Sequence, residues 1–460
     1  MKQQTSFDFN SFKWQSSWPE SIAQYNLVYR TPPSDPLQGL PLGNGRLGAL
    51  LWFEDDAVVW QLNRCDLFDE VDYDTFSNWA RSEEEKVSTL RHAGRGRLKF
   101  QLPVFDRFYL RDCHGVLDIA SGKAVMEVES FYGSVKIEAV IDEGSDNLLL
   151  RVKAELSETV APELVLERYG SRTYSHWYSL INRDPSFGQI PTEALITDDG
   201  NLGLRMKMSN REFSYAASLD CKTVTRKANS CEVIARMADS NQHSFRAIIG
   251  ATGLVHAESF QELLEIQRKL NWTTAVELTA AAWKKFWQNF RLRSANDYLN
   301  NLYYLSLYFF NASQRGKYPG RFINGLWNWN RDVQPWNFFF HWNQQQLYWG
   351  VYAAGHPELA EAYLDFRFRN MDKGLKDAEE YFKVKSGIFV SDVVDCNGVN
   401  SAAERHNHTP SAQIAMISCG KKLILICGPL PFFWPPIFPA REPMAVITAC
   451  RVPFMKDGLK

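Results

Sequence analysis

The sequence predicts an α+β multidomain protein in which an antiparallel β region precedes a helical region. Residues 20–255 alternate apolar and polar side chains over short stretches separated by turn residues, which is typical of an antiparallel sandwich. Near residue 257 the pattern changes to longer segments with few β-branched residues and no internal glycine or proline, which indicates helices. The chain has 460 residues. This is longer than a typical single domain, so two or more domains are expected.

Local patterns define the individual strands. Apolar residues occupy every second position of 133–142, which predicts a half-buried strand. Segment 49–63 predicts two strands around a turn at Asp55–Asp56. Segment 77–93 is rich in charge, and we expect it to form a surface helix.

Four helices are expected between residues 258 and 382. The first two cover 258–270 and 273–290. The third begins after Ser294 as its N-cap and ends before Gly316 as its C-cap, and a long fourth helix spans 356–382.

Composition excludes several partners and cofactors. The formal net charge of −2 gives no electrostatic basis for binding nucleic acid. No apolar run of about 18 residues is present, so no contact with a membrane is expected. The polar N-terminus resembles no secretory signal, and the scattered cysteines have no zinc spacing. We therefore expect a cytoplasmic protein with reduced thiols, no metal and no cofactor, and its oligomeric state is left open.

The segment "PLGNGRLGAL" (41–50) contains the spacing G-x-G-x-x-G. A dinucleotide-binding turn with this spacing requires a strand before it and a helix after it. The preceding residues are rich in proline and predict no strand, whereas the following residues predict a hairpin. The glycines therefore indicate a tight loop in which positive φ or close backbone approach is needed.

The longer segment "LPLGNGRLGALLWFEDDAVVWQLNRCDLFDE" (40–70) resembles the opening of glycoside hydrolase family 95, the inverting α-L-fucosidases. The segment "YNLVYRTPPSD" just before it is similar to a related, uncharacterised family with the same two domains. The resemblance implies a β super-sandwich over 20–255, a helical linker over 256–293 and the first part of an (α/α)6 barrel over 294–418. It also implies a carbohydrate substrate.

The glycine-rich loop is expected to face the helical domain, because a catalytic barrel needs one wall from its β domain. Asn44 and Arg46 are the residues of this loop that we expect to reach a substrate cleft.

The segment "INGLWNWNRDVQPWNFFFHWNQQQLYWG" (323–350) carries the second part of the resemblance. The family has a similar run with an Asn-x-Asn pair shortly before Tyr-Trp, and Asn343 matches the second asparagine. His341 occupies the place of the first, so the sequence departs from the family there. The resemblance implies that these two residues orient the water that attacks the sugar, because an amide both donates and accepts hydrogen bonds. The alternative is that they only support the start of a helix.

Other residues of this region are candidates for binding the sugar. Tryptophan offers a flat ring and an N–H donor, so the matched tryptophans are either sugar platforms or core residues. A loop before a helix near Pro410 resembles a histidine-rich loop of the family, although two histidines without a third ligand do not predict a zinc site. The substrate-binding candidates are Trp327, Asn328, Trp336, Trp349, Glu404, His406 and His408.

Residues 419–460 lose all periodicity and are rich in proline. We interpret them as an aberrant or disordered tail that follows a frame error or a truncation. In the family the general acid is a glutamate further along the barrel, and none of the nearby acids Asp332, Asp392, Asp395 and Glu404 matches it. The resemblance therefore implies weak or no hydrolysis by this chain. The alternatives are a non-catalytic sugar-binding protein or pseudoenzyme, and a glycoside phosphorylase.

Overall fold

The structure is a computed structural model. It describes residues 6–8, 13–15, 20–71, 87–168, 191–208, 211–254, 256–288, 292, 294–321, 325–327, 342–383, 385, 387–390, 394–399 and 413–418. The strands in these ranges are β1 (Ser6–Asp8), β2 (Lys13–Gln15), β3 (Leu27–Tyr29), β4 (Leu40–Gly43), β5 (Leu47–Glu54), β6 (Ala57–Val71), β7 (Val87–Lys99), β8 (Leu110–Asp118), β9 (Lys123–Ser130), β10 (Gly133–Ile141), β11 (Asn147–Val160), β12 (Glu163–Glu167), β13 (Thr192–Ile196), β14 (Leu202–Lys207), β15 (Glu212–Leu219), β16 (Thr223–Asn229), β17 (Glu232–Met237) and β18 (Ser240–Ala251).

Helices follow the strands. Apart from a short helix α1 (Glu20–Ala23) near the start, they are α2 (Phe260–Lys269), α3 (Trp272–Trp287), α4 (Asp297–Ser313), α5 (Trp342–Gln346), α6 (Glu361–Arg369), α7 (Met371–Phe382) and a helical segment at 413–418. Two 3-10 turns cover Pro36–Gln38 and Pro357–Ala360.

Two large antiparallel sheets form the β region. The nine-stranded sheet has the order β13-β14-β15-β18-β11-β10-β9-β8-β3, and the seven-stranded sheet has the order β16-β17-β12-β7-β6-β5-β4. The predicted antiparallel strands and the change to helices after them are confirmed, because the change falls between Ala251 and Phe260. The domain boundaries and the assignment of the helices to a barrel stay predictions.

The core lies between the two large sheets. Trp60 of the seven-stranded sheet and Tyr215 of the nine-stranded sheet are fully buried, and the indole Nε1 donates a hydrogen bond of 2.8 Å to the Tyr215 hydroxyl. A Cβ on Gly94 would overlap the Tyr215 ring, so glycine is required for the sheets to approach here. Burial raises the pKa of Tyr215 well above its usual range, so the phenol stays neutral.

The first helices pack against the nine-stranded sheet. The Gln267 side chain of α2 donates to the side chain of Asn147 at 3.1 Å. In α3, Thr279 Oγ1 donates to the carbonyl of Ile141 at 3.1 Å, and Trp287 Nε1 donates to that of Ile119 at 2.9 Å. These bonds satisfy polar groups that burial would otherwise leave unpaired.

The prediction of a surface helix over 77–93 is wrong where the structure describes it. Residues 87–93 belong to β7, which pairs with β6 on one side and β12 on the other. The helix-favouring charges that motivated the prediction lie at 81–86, outside the described residues. Residues 87–90 and His92 pair with β6, and this pairing overrides the local propensity of the segment.

Two helix boundaries also differ from the prediction. The N-cap of α4 is Asn296, whose side chain accepts from the N–H groups of Tyr298 and Leu299, and Ser294 lies outside the helix. The helix ends at Ser313, with Gln314 as its C-cap rather than Gly316.

The single helix predicted over 356–382 is divided into a 3-10 turn, α6 and α7. The division between the helices falls at Asn370, whose side chain donates to the carbonyl of Phe366. Such a side-chain bond competes with the helical pattern. The tail at 419–460 lies outside the described residues.

Candidate functional site

The glycine-rich loop between β4 and β5 lies against the end of α4. Gly45 donates from its backbone N–H to the carbonyl of Ala312 at 2.7 Å and has a φ of +84°. A Cβ on Gly43 would overlap the same carbonyl, and a Cβ on Gly48 would lie 2.5 Å from that of Leu326. The glycines thus allow close backbone approach, and the prediction that the loop faces the helical region is confirmed.

The context of the loop differs in one respect from the prediction. A short strand, β4, does precede it, although the proline-rich sequence had predicted none. The element that follows is β5, not a helix. A strand–turn–strand unit lacks the helix N-terminus that binds a pyrophosphate, so the loop is not a dinucleotide turn.

Asn44 is buried within this loop and is only 1% exposed. Its amide nitrogen donates to the Asp142 carbonyl at 3.0 Å and to Asp146 Oδ1 at 2.8 Å, and its oxygen accepts from the N–H groups of Arg46 and Leu47. These hydrogen bonds show that Asn44 stabilises the turn. Its contact with substrate stays a prediction.

Arg46 lies at the outer side of the same cluster, with 18% of its side chain exposed. Its Nε forms an ion pair of 2.8 Å with Asp146, and its Nη2 donates to the Glu143 carbonyl at 2.5 Å. Arg315, just after α4, binds the Glu143 carboxylate through both of its terminal nitrogens, at 2.9 and 3.1 Å. The cluster therefore ties the nine-stranded sheet to the glycine-rich loop and to α4. Contact of Arg46 with substrate stays a prediction.

A fully buried ion pair lies next to this cluster, on its interior side. Arg64 Nε and Nη2 bind the two oxygens of Asp66 at 2.8 and 3.0 Å, and Nη2 lies 3.2 Å from Asp146. Burial alone would raise the pKa of Asp66, but the charge and hydrogen bonds of Arg64 outweigh it and hold the pKa below its usual range. Asp66 is therefore ionised at neutral pH.

Trp327 follows the glycine at 325 and packs against the same edge of the sandwich. Its indole Nε1 donates to the Leu42 carbonyl at 2.9 Å, and the Tyr308 hydroxyl of α4 donates to the Pro41 carbonyl at 2.8 Å. The ring of Trp327 meets that of Phe309 edge-on, with centroids 5.7 Å apart. Its N–H is thus already used, and only the ring is available to a ligand.

A chain of buried polar groups fixes α5. The Gln344 amide donates to the Gly320 carbonyl at 2.7 Å and to the Tyr348 hydroxyl at 3.1 Å. That hydroxyl donates in turn to Gln314 Oε1 at 2.9 Å. The Tyr348 ring also stacks on Tyr363, with centroids 4.7 Å apart, so α5 has a defined position on its buried side.

The other side of this segment faces solvent. Asn343, in the first turn of α5, is exposed, and Trp349 is 50% exposed. The structure therefore places these two candidates at the surface and Trp327 in the interior. The remaining candidates lie outside the described residues: His341, Asn328, Trp336, Glu404, His406 and His408.

Of the acids considered as substitutes for the family's general acid, the structure describes only Asp395. It is fully buried, and its Oδ1 accepts from the N–H groups of Asn397 and Val399 at 2.9 and 2.7 Å. These bonds make it a turn-forming residue. Asp332 and Asp392 lie outside the described residues.

Two polar residues that no motif in the sequence singles out, Arg321 and Gln314, also belong to this region. Both are buried, and both line a cavity beside Trp327. A signal was present, because the sequence has several cations but no acidic residue between Asp297 and Asp332.

Two absences hold for the described part of the chain. There, no three side chains of histidine, cysteine, aspartate or glutamate are grouped so that they could hold a metal ion. Likewise, none of the described helices is long and apolar enough to cross a membrane.

Solved structures give the comparison with known proteins. The chain aligns with a structure described as "Putative kojibiose phosphorylase from human microbiome", which we call the microbiome structure. The TM-score is 0.62 and the sequence identity is 12%, and the alignment covers 88% of this chain and 57% of that one. It also aligns with a bacterial glucoamylase complexed with acarbose, at a TM-score of 0.46 and 12% identity, over 87% of this chain and 60% of that one. A third structure is a family GH92 α-mannosidase from Bacteroides thetaiotaomicron, which aligns at a TM-score of 0.35 and 8% identity, over 85% of this chain and 55% of that one.

The alignment with the microbiome structure shows a shared fold, and at this identity it shows the fold alone. The chain spans less than two thirds of the length of each of these three structures. No protein-family model and no curated protein matches the sequence.

Proposed function

We propose that the protein is a glycoside-processing enzyme that cleaves a terminal sugar with inversion, as the resemblance to the α-L-fucosidase family implies. The fold shared with the microbiome structure and the motifs at 40–70 and 323–350 support this proposal. Water would attack the anomeric carbon on one face while the glycosidic C–O bond breaks on the other, and the departing oxygen would take a proton from a general acid.

The observation that carries the proposal is the exposed position of Asn343 in the first turn of α5. Its neighbour Gln344 is buried and bonded to Gly320, so the helix is fixed while Asn343 lies on the accessible side. A fixed amide can accept one proton of a water and leave a lone pair directed at the sugar. We assign this role to Asn343 and the same role, or proton acceptance, to His341.

The substrate-binding assignments complete the proposal. Trp349 is half exposed, so its ring can stack on a sugar face. Trp327 can offer only its ring, because its N–H is bonded to Leu42. Asn328, Trp336, Glu404, His406 and His408 are proposed to bind sugar hydroxyls or rings from outside the described residues. Asp395 forms a turn, and the family's general acid matches no residue of this chain, so the proposal includes weak hydrolysis at most.

A glycoside phosphorylase is the second candidate. It is favoured by the fold that this chain shares with the microbiome structure, which is described as a kojibiose phosphorylase. In that reaction phosphate replaces water as the nucleophile, so the product would be a sugar 1-phosphate. A non-catalytic sugar-binding protein is the third.

One experiment separates the three functions. The protein is incubated with a panel of aryl glycosides that includes an α-L-fucoside, with and without inorganic phosphate, and proton NMR follows the anomeric signals. We expect slow, phosphate-independent release of a free sugar whose first-formed anomer is inverted, because the family's general acid matches no residue of this chain. Formation of a sugar 1-phosphate only when phosphate is present would replace the hydrolase with the phosphorylase. Saturable sugar binding without turnover on any substrate would favour the non-catalytic protein.

A further inference from the structure

A cavity of about 560 Å³ lies where α4 covers the edge of the sandwich. Its walls include Tyr29 of β3 and Pro41 of β4, which are the edge strands of the two large sheets. The α4 side contributes Phe309 and Phe310, and Trp327 completes an aromatic wall. Small-molecule sites usually have a volume of this order and a largely apolar lining.

Arg321 lines this cavity and is only 9% exposed. Among the described residues, none accepts a hydrogen bond from its Nε, and none of those that line the cavity carries a carboxylate. By contrast, the buried Arg64 and Arg91 form ion pairs with Asp66 and Asp69. A buried cation without a partner is costly, so a ligand that supplies the missing charge would bind favourably.

Arg321 remains a cation at neutral pH. Burial lowers its pKa to about 10, which is still far above neutrality. The side chain therefore presents a charged, planar guanidinium with several N–H donors, a geometry that matches the two oxygens of a carboxylate or those of a phosphate.

Gln314 adds a second donor to the same cavity. It is 2% exposed, and its Oε1 is occupied by the Tyr348 hydroxyl. That bond assigns the other end of the amide as the NH₂ group, for which no described residue acts as acceptor. The Ser313 hydroxyl donates to the Phe309 carbonyl, so it can accept but not donate further. The buried polar groups of the cavity thus favour a ligand rich in acceptor oxygens.

We propose that this cavity binds a carboxylate-bearing sugar, a uronic acid unit, with its carboxylate on Arg321 and Gln314 and its ring against the aromatic wall. The preference for an oxyanion is inferred from Arg321, and the preference for a sugar rests on the proposed function. Inorganic phosphate offers the same oxyanion chemistry, so it is the second source that the test must separate.

Isothermal titration calorimetry of the full chain with glucuronate, glucose and inorganic phosphate provides the test. We expect glucuronate to bind more tightly than either of the others. The variant R321M should bind glucuronate about 10- to 100-fold more weakly, since a hydrogen-bonded charge pair is lost. The control R226M removes an exposed arginine on β16 and should bind like the wild type.

Thermal unfolding shows whether the R321M substitution changes the stability of the protein itself. Without ligand, R321M should melt at the same temperature as the wild type or a few degrees higher, because it removes an uncompensated buried charge. Glucuronate should raise the melting temperature of the wild type and of R226M but not of R321M.

The outcomes are distinct. Arg321-dependent binding of phosphate alone would retain the oxyanion site but overturn the uronic acid. Equal binding of glucose and glucuronate, equal binding by R321M, or no binding of either anion would overturn the inference. Because the readout is binding, turnover of neutral glycosides without anion binding would leave the proposed function standing.

Discussion

The backbone N–H of Gly45 donates a hydrogen bond of 2.7 Å to the carbonyl oxygen of Ala312. One partner lies in a turn between two strands of the sandwich, and the other lies in the last turn of α4. A helix leaves its final carbonyls without partners inside the helix, so this bond satisfies one of them with a group from the β region. The return bond, from the Arg315 N–H to the Gly45 carbonyl at 3.2 Å, makes the contact reciprocal.

We predict that Gly45→Ala destabilises the protein by about 2–4 kcal/mol. The substitution places a Cβ at a φ of +84° and against Arg315, so backbone strain adds to overpacking. The change is measured as a shift of the urea unfolding transition. Gly350→Ala is the matched control, since its Cβ would have no neighbour within 4 Å, and it should shift stability by no more than about 0.5 kcal/mol. Equal shifts for the two variants would contradict the argument.

The Arg64–Asp66 pair leads to a pH-dependent prediction. The pKa of Asp66 is lowered in the folded protein, so its contribution to stability is fully present above its unfolded pKa of about 3.9 and is lost as the pH falls through the folded value. Asp66→Asn leaves Arg64 without its bidentate partner and should cost about 3–5 kcal/mol at pH 7. The difference from the wild type should shrink below about pH 4.

Urea unfolding from pH 7 to pH 3 checks this prediction. Asp220→Asn is the control, because the Asp220–Arg246 pair lies on the surface and should contribute no more than about 1 kcal/mol. A destabilisation by Asp66→Asn that stays constant down to pH 3 would mean that the charge of Asp66 is not its cause.

A third prediction separates the two described tryptophan candidates. Trp327→Phe keeps an aromatic ring but removes the donor to Leu42, whose carbonyl is then left buried without this bond. We expect a loss of about 1–3 kcal/mol. Trp349→Phe at a half-exposed position should cost no more than about 0.5 kcal/mol. Chemical denaturation of both variants measures the difference, and a larger loss for Trp349→Phe would reverse these assignments.

The strands were predictable because their signal is local. Segment 133–142 forms β10 as its alternation predicts, although Glu138 and Val140 on the other face are also buried, and the turn at Asp55–Asp56 separates β5 from β6 as expected. The helix expected over 77–93 fails because residues 87–90 and His92 pair with β6, and this pairing leaves little trace in the segment itself.

The candidate site was less predictable, because its contacts join residues that are distant in the sequence. Asn44 is bonded to Asp146, 102 positions away, and Trp327 to Leu42, 285 positions away. A motif shows that such residues occur but not whether they face a ligand or each other. Arg321 shows the same limit, since the lack of a nearby acid in the sequence acquires meaning only once the cavity around it is known.

The last prediction concerns Asn343. If its amide orients the attacking water, it acts mainly in the transition state, and its loss should lower kcat more than it alters substrate binding. In a protein to which the missing part of the barrel has been restored, we expect Asn343→Ala to reduce kcat on the best glycoside by about 100-fold or more, with KM changed by less than about 3-fold. Gln346→Ala, on the same helix, is the control for disturbance of α5 and should retain the wild-type kcat. Asn343→Asp should keep more activity than Asn343→Ala, because a carboxylate can still accept a proton of the water, and its rate should rise with pH as that carboxylate ionises. Steady-state kinetics of the three variants decides the matter. A rise in KM at unchanged kcat in Asn343→Ala would make Asn343 a substrate-binding residue, and equal losses in Asn343→Ala and Gln346→Ala would reduce its role to holding the helix.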